Sequence, residues 1–154
     1  MTQSPTSESQ VNAWLESLSA SGYRATDKCR AIIEIILRSQ KALDPLSIFD
    51  AARQQFPGIG LVTVYRTLQK LQEIGLVQHV HQADGCHRVL PAFQGHQHLL
   101  ICQHCGLIFY FSGDNLQGLT EQIMQETGFS VKEHWLQLFG ICPNCRLSDD
   151  VNPG

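Results

Sequence analysis

Charge is scarce in this chain of 154 residues: 16% are Asp, Glu, Lys or Arg, and eleven cationic side chains against fourteen acidic ones leave a net charge of −3. Taken whole, that balance gives no sign of a polyanion partner. No apolar run approaches the roughly 20 residues of a membrane span, so no membrane partner is expected. Met1-Thr2-Gln3-Ser4-Pro5 has neither the cationic flank nor the apolar stretch of a signal peptide, and the chain is read as cytoplasmic. The metalloprotease pattern H-E-x-x-H is missing, as is the H-x-E of zinc deaminases. An enzyme is therefore not expected, nor a small-molecule substrate.

Cysteines number only six, and four of them stand as Cys102-x-x-Cys105 and Cys142-x-x-Cys145. Two such knuckles suit a tetrahedral four-thiolate zinc site, which leaves no open position for a catalytic water. Two disulfides are the competing arrangement, disfavoured because nothing suggests secretion. Gly106 to Ile141 is a longer spacer than a simple zinc ribbon needs. It predicts strand, helix and strand between the knuckles, and hence a small domain closed by the metal.

Splitting the chain changes the charge reading. Residues 1–82 carry +1 and residues 83–154 carry −4, while every histidine and cysteine except Cys29, His79 and His81 lies in the second part. A boundary near residues 82–86 follows. We expect an α+β protein: a winged-helix domain over residues 1–90, a turn, wing and hinge region over 83–95, a small α/β dimerisation domain over 96–146, and a flexible tail over 147–154.

Residues 1–9 are Ser/Thr/Gln-rich and expected to fray. Val11, Trp14, Leu15 and Leu18 predict a first helix ended by Gly22; Thr26 caps a second, through Ile32, Ile33, Ile36 and Leu37. Asp44-Pro45 opens a third, with Leu46, Ile48, Phe49 and Ala52 on its buried side. After the turn Phe56 to Gly60, the residues Val64, Leu68, Leu71 and Ile74 recur at helical intervals, with Tyr65, Arg66, Gln69 and Lys70 on the other side. A stripe that holds to the core, backed by a ring and hydrogen-bond donors, is what a helix entering the DNA major groove requires. Leu76 to His81 and Cys86 to Leu90, around Ala83-Asp84-Gly85, predict a hairpin wing. A helical core with no DNA contact is the competing reading. Beyond Pro91 to Gly95, strands are expected over His96 to Cys102, Leu107 to Phe111 and Phe129 to Phe139. A helix after Gly113-Asp114 would carry Leu116, Leu119, Ile123 and Met124 on one face. So small a domain with exposed aliphatics is expected to bury a face in a homodimer.

Histidines point to a second metal. His96 and His98 share one side of their strand by parity, and His134 shares parity with Leu136, Leu138 and Cys142. His79 and His81 are likewise two apart on the wing, with Cys86 just past its turn. Thiolate plus imidazole suits zinc. The candidate regulatory ligands are thus His79 or His81, Cys86, His96, His98 and His134, the last belonging either to the sensor or to a third site. His87 and His104 are read as surface or hydrogen-bonded side chains, and Cys29 as a small buried apolar residue.

Thr63-Val64-Tyr65-Arg66-Thr67-Leu68, Gly75, the His-x-His before Cys102-x-x-Cys105-Gly106, and the closing Cys142-x-x-Cys145 together resemble the ferric uptake regulator (Fur) family of metal-dependent transcriptional regulators, from about Gly22 to Arg146. The resemblance implies a winged-helix DNA-binding domain, a dimerisation domain with a structural zinc, and a regulatory metal at the hinge. Within the family the chain is most similar to the zinc uptake regulators, since Leu90, Leu99, Tyr110 and Gln117 stand where iron-sensing relatives carry Glu or His. Two departures stand out. Cys29, flanked by Lys28 and Arg30, replaces an expected arginine, and Cys86 precedes the usual cysteine position of the zinc sensors.

These readings converge on a zinc-responsive repressor that binds a palindromic double-stranded operator as a homodimer. It would hold one structural Zn2+ per chain and a second, regulatory metal ion, most simply zinc. Tyr65 would stack on thymine methyls, and Thr63, Arg66, Lys70, Lys28 and Arg30 would complete the DNA contacts. A sensor of iron, manganese or peroxide is the alternative within the class, and a zinc-stabilised interaction module without a DNA role the alternative outside it.

Overall fold

The computed structural model describes residues 8–81, 87–92, 97–113 and 115–151, with the side chains of His81 and of 148–151 left undescribed. The chain divides into two compact units, Met1–Ala92 and Phe93–Gly154.

The first unit is four helices followed by a hairpin. Helix α1 (Glu8–Ala20) starts earlier than the composition predicts, because Val11 is already buried in its first turn and draws Glu8 and Ser9 into the helix; residues 1–7 lie outside the described residues. Helix α2 (Asp27–Arg38) opens on Thr26, whose Oγ1 accepts the Cys29 amide at 3.2 Å, satisfying an amide that the helix itself cannot. Helix α3 (Pro45–Gln55) opens on Asp44, which accepts the Ser47 amide at 2.8 Å, with proline in the first turn. Ile48 and Ala52 are buried there, but Leu46, expected inward, is 57% exposed. Two residues before Ile48 it sits roughly 200° around the helix, on the opposite side.

Helix α4 (Leu61–Glu73) buries Val64, Thr67, Leu68 and Leu71. Its end is set by Gly75 at φ +72°, a left-handed conformation suited to glycine, which lets the Leu76 amide reach back to the Leu71 carbonyl at 2.8 Å. Strands β1 (Val77–His81) and β2 (His87–Pro91) pair antiparallel, Val77 opposite Pro91 and His81 opposite His87. A bridge that the pattern did not announce adds Leu43, whose amide and carbonyl both bond Val89. One core joins these elements, from Val11, Trp14 and Leu18 on α1 through Ile32, Ile33 and Ile36 on α2 to Val77 and Val89 in the wing.

The second unit is a three-stranded sheet in the order β4-β3-β5. Strand β3 (Gln97–Cys102) pairs antiparallel with β4 (Ile108–Ser112) and parallel with β5 (Gln137–Gly140). The long closing strand expected over Phe129 to Phe139 is thus four residues long. It sets Gln137 opposite Leu99 and ends with Gly140 opposite Cys102. Helix α5 (Gln117–Thr127) starts after the predicted Asp114 lead, on Leu116, and buries none of its residues, with Leu119 and Ile123 left exposed. Helix α6 (Pro143–Val151) takes in residues 147–151 of the expected tail, begun by proline at its first position and by the Arg146 amide bonding the Cys142 carbonyl at 3.0 Å. No helix among the described residues is long and apolar enough to cross a membrane.

Candidate metal centre and nucleic-acid interface

Strand β3 delivers Cys102 at its last position, and a tight turn then brings round Cys105. Gly106, at φ +73°, closes that turn with its amide on the Cys102 carbonyl at 2.9 Å. Strand β5, parallel to β3, sets Gly140 opposite Cys102, so the chain beyond it carries Cys142 and, on α6, Cys145 to the same place. The four sulfurs lie within 4.8 Å of one another. All four are thiols, and Cys105 Sγ is 3.7 Å from Cys142 Sγ. A disulfide would hold that pair at about 2.05 Å. Four sulfurs at about 2.3 Å from one tetrahedral zinc ion sit about 3.8 Å apart.

The electrostatics also ask for a cation. Burial raises the Cys102 thiol, but the amides of Cys105, Cys142 and His104 more than offset that and bring it down to about 6. Hydrogen bonding to Cys142, with burial and the other two sulfurs, pushes Cys145 up to about 12. Four sulfurs so spread cannot all be thiolates near neutral pH unless a positive ion lies among them. The donor set therefore fits a metal ion, and no position is left over for substrate.

A second pair of donors lies in the same unit. His98 is 2% exposed on β3, and its ring centre is 5.5 Å from that of His134, which approaches from the segment before β5 rather than from a strand. Strand parity is therefore not what places His134. With Zn–N at about 2.0–2.1 Å and the ring centre about 1.1 Å further, two imidazoles on one tetrahedral ion hold their centres about 5 Å apart. His98 and His134 are close to that spacing. Tyr110, on β4 opposite Leu99, is a phenol that burial pushes up to about 12, so it stays protonated and supplies no oxyanion near neutral pH. Of the other expected regulatory ligands, His79 is half-buried on β1, His81 is described by its backbone alone, and Cys86 and His96 lie outside the described residues, as do hinge residues 93–95.

On α4, Tyr65 is 52% exposed, Arg66 and Gln69 are also exposed, and Thr63 and Lys70 are half-buried. Sequence patterning overlooked Val62, 64% exposed and three and four residues before Tyr65 and Arg66, hence on their side of the helix. It also overlooked Tyr23, whose hydroxyl donates to Glu73 and whose ring lies under the Lys70 ammonium at 4.9 Å. Lys28 is half-buried. Arg30 bonds Asn12 Oδ1 at 2.7 Å and lies 3.9 Å from Glu34, so its guanidinium is engaged along α1 and α2. Cys29 is buried as expected, but it also joins α2 to α4, 3.7 Å from the Thr67 hydroxyl.

The Ferric uptake regulator family profile matches residues 20–139. A peroxide operon regulator of Bacillus subtilis is 32% identical over 136 residues, 88% of this chain and 93% of its own length. The ferric uptake regulation protein of the same organism is 31% identical over 144 residues, 90% and 95% of the two chains. Among solved structures, the ferric uptake regulator of Helicobacter pylori superposes with a TM-score of 0.70 at 21% identity, covering 88% of this chain and 93% of its own. A zinc uptake regulator complexed with zinc and DNA superposes at 0.69 and 17% identity, covering 96% and 99%. At these identities the two superpositions establish a shared fold.

Proposed function

The chain belongs to the ferric uptake regulator family of metal-responsive transcription regulators, and on that premise we propose that it is a cytoplasmic, zinc-responsive repressor of zinc uptake and homeostasis genes, acting as a homodimer on a palindromic operator. Zinc held by Cys102, Cys105, Cys142 and Cys145 would be structural, and the metal that reports zinc supply would be bound at His98 and His134. His96, in the same unit, remains a candidate ligand of the regulatory metal. The reading rests above all on the donor set: a buried imidazole paired with a second one, beside a sheet whose Leu99 is apolar and whose Tyr110 keeps its proton. Nitrogen donors without carboxylates favour zinc over the harder ions.

The homodimer is supported by a row of exposed apolar side chains across one sheet face, Leu100 with its cross-strand neighbours Phe109 and Leu138, which a second copy would cover. Operator binding is supported by the exposed Val62, Tyr65 and Arg66 on α4. The domain roles follow, with the first unit as reader and the second as dimeriser and sensor. Moving an operator-competent population from 1:99 to 99:1 takes about 5.5 kcal/mol of differential zinc binding. A site of several nitrogen and sulfur ligands can supply that much.

A second reading, a sensor of iron or peroxide, is favoured by the names of the two Bacillus subtilis relatives. Adding zinc, ferrous iron and manganese separately to protein that retains its four-cysteine metal, and following operator binding, decides between them. Zinc restoring binding at the lowest free concentration supports the proposal. Iron or manganese doing so first contradicts it.

A further inference from the structure

We propose that the wing holds a metal site of its own, in which His79 and His87 share one first-row divalent cation of the zinc type. Strand pairing assembles it. With His79 opposite Val89 and His81 opposite His87, positions 79, 81 and 87 fall on a single face of the hairpin, and Arg88, the next residue along, alternates to the other face. The His79 and His87 rings are diagonal neighbours across the strands, 6.3 Å between centres and edge-on at 89°.

Two imidazoles on one tetrahedral ion need centres about 5 Å apart, given Zn–N bonds of about 2.0–2.1 Å. The pair must therefore close by about 1 Å. His87 is exposed and can rotate through that distance about its own side-chain bonds, while the half-buried His79 stays in place. Imidazole pairs select zinc, copper, nickel or cobalt over magnesium or calcium.

Each strand contributes a ligand, so the ion would cross-link β1 to β2 next to the connection between them and stiffen the wing. His87, a lone surface residue when the sequence is read linearly, acquires a role because the hairpin folds it against His79. The site lies wholly within the first unit. It needs neither His98 nor His134, and it stands or falls apart from the repressor reading.

The test is a zinc titration of the full chain, with its four-cysteine metal in place, against a chromophoric chelator. Wild type is compared with His87→Gln, His79→Gln and a His98→Gln/His134→Gln double variant. The proposal expects His87→Gln and His79→Gln each to bind one zinc fewer than wild type, and the double variant to keep that wing-bound equivalent. Zinc should also slow diethyl pyrocarbonate modification of His87 in the wild-type protein, a readout that holds even if His79→Gln folds poorly. Wild-type stoichiometry in His87→Gln, or modification of His87 at a rate indifferent to zinc, overturns it.

Discussion

Replacing Cys142 with serine should unfold the second unit and leave the first standing. Among the described residues of the second unit, the buried aliphatic side chains are Leu99, Ile101 and Ile108, and α5 adds none. At about 1.5–3 kcal/mol each, they contribute about 5–9 kcal/mol. A structural zinc site contributes about 10–16 kcal/mol of apparent binding free energy, all of it lost if the chain unfolds. The metal therefore outweighs the core in this unit. A serine hydroxyl keeps its proton near neutral pH and cannot replace the thiolate. The first unit rests instead on a core running from α1 to the wing and contains no group of three or more metal-binding side chains among its described residues. Hydrogen exchange read by mass spectrometry separates the two. In Cys142→Ser, and in wild type stripped by a strong chelator, amides of β3, β4 and β5 should exchange at open-chain rates, while those of α2 and α4 stay protected. Metal-free Cys142→Ser whose sheet amides remain as slow as in wild type would show that the thiolate cluster does not hold this unit together.

Three further outcomes follow from particular side chains. Burial raises the Asp44 carboxyl, but the Ser47 hydroxyl and amide, its own amide and Arg88 outweigh that and hold it below the usual carboxylate range. Because the folded value is depressed, the cap's stabilisation is present above about pH 3.9, the unfolded value, and is lost as pH falls through the folded one. Asp44→Ala should thus cost about 0.5–2 kcal/mol in urea melts at pH 7, with the gap to wild type closing below about pH 4. Tyr65→Ala should leave stability within about 0.5 kcal/mol, since the ring is mostly exposed, yet reduce the ratio of operator to random-DNA affinity measured at one salt concentration. His134→Gln should keep the four-cysteine metal by elemental analysis and lose the zinc response of operator binding.

The starts of α2 and α3 were legible in the sequence because each depends on a local capping residue: Thr26 and Asp44 cap as their types predict. The inward stripe of α4 was legible for the same reason, since Val64, Leu68 and Leu71 repeat at the helical period. The four-cysteine cluster could be read from spacing alone. Non-local pairings could not. The Leu43 bridge to Val89 and the parallel pairing of β5 on β3 both join residues far apart in sequence. His134 was nominated by strand parity, but it reaches His98 from a segment outside any strand, a proximity that parity does not encode. The engagement of Arg30 by Asn12 and Glu34 depends on how α1 packs on α2, which one-dimensional charge patterning does not encode.

The central claim, that zinc bound at histidines of the second unit governs operator affinity, is tested most directly by fluorescence anisotropy on a labelled operator. Free zinc is buffered across its range at constant ionic strength, in protein whose four-cysteine metal is verified before and after. The account predicts that affinity rises steeply with free zinc in wild type and stays at the zinc-poor level in His98→Gln. Equal affinity at every zinc level in wild type, or an undiminished response in His98→Gln, would contradict it.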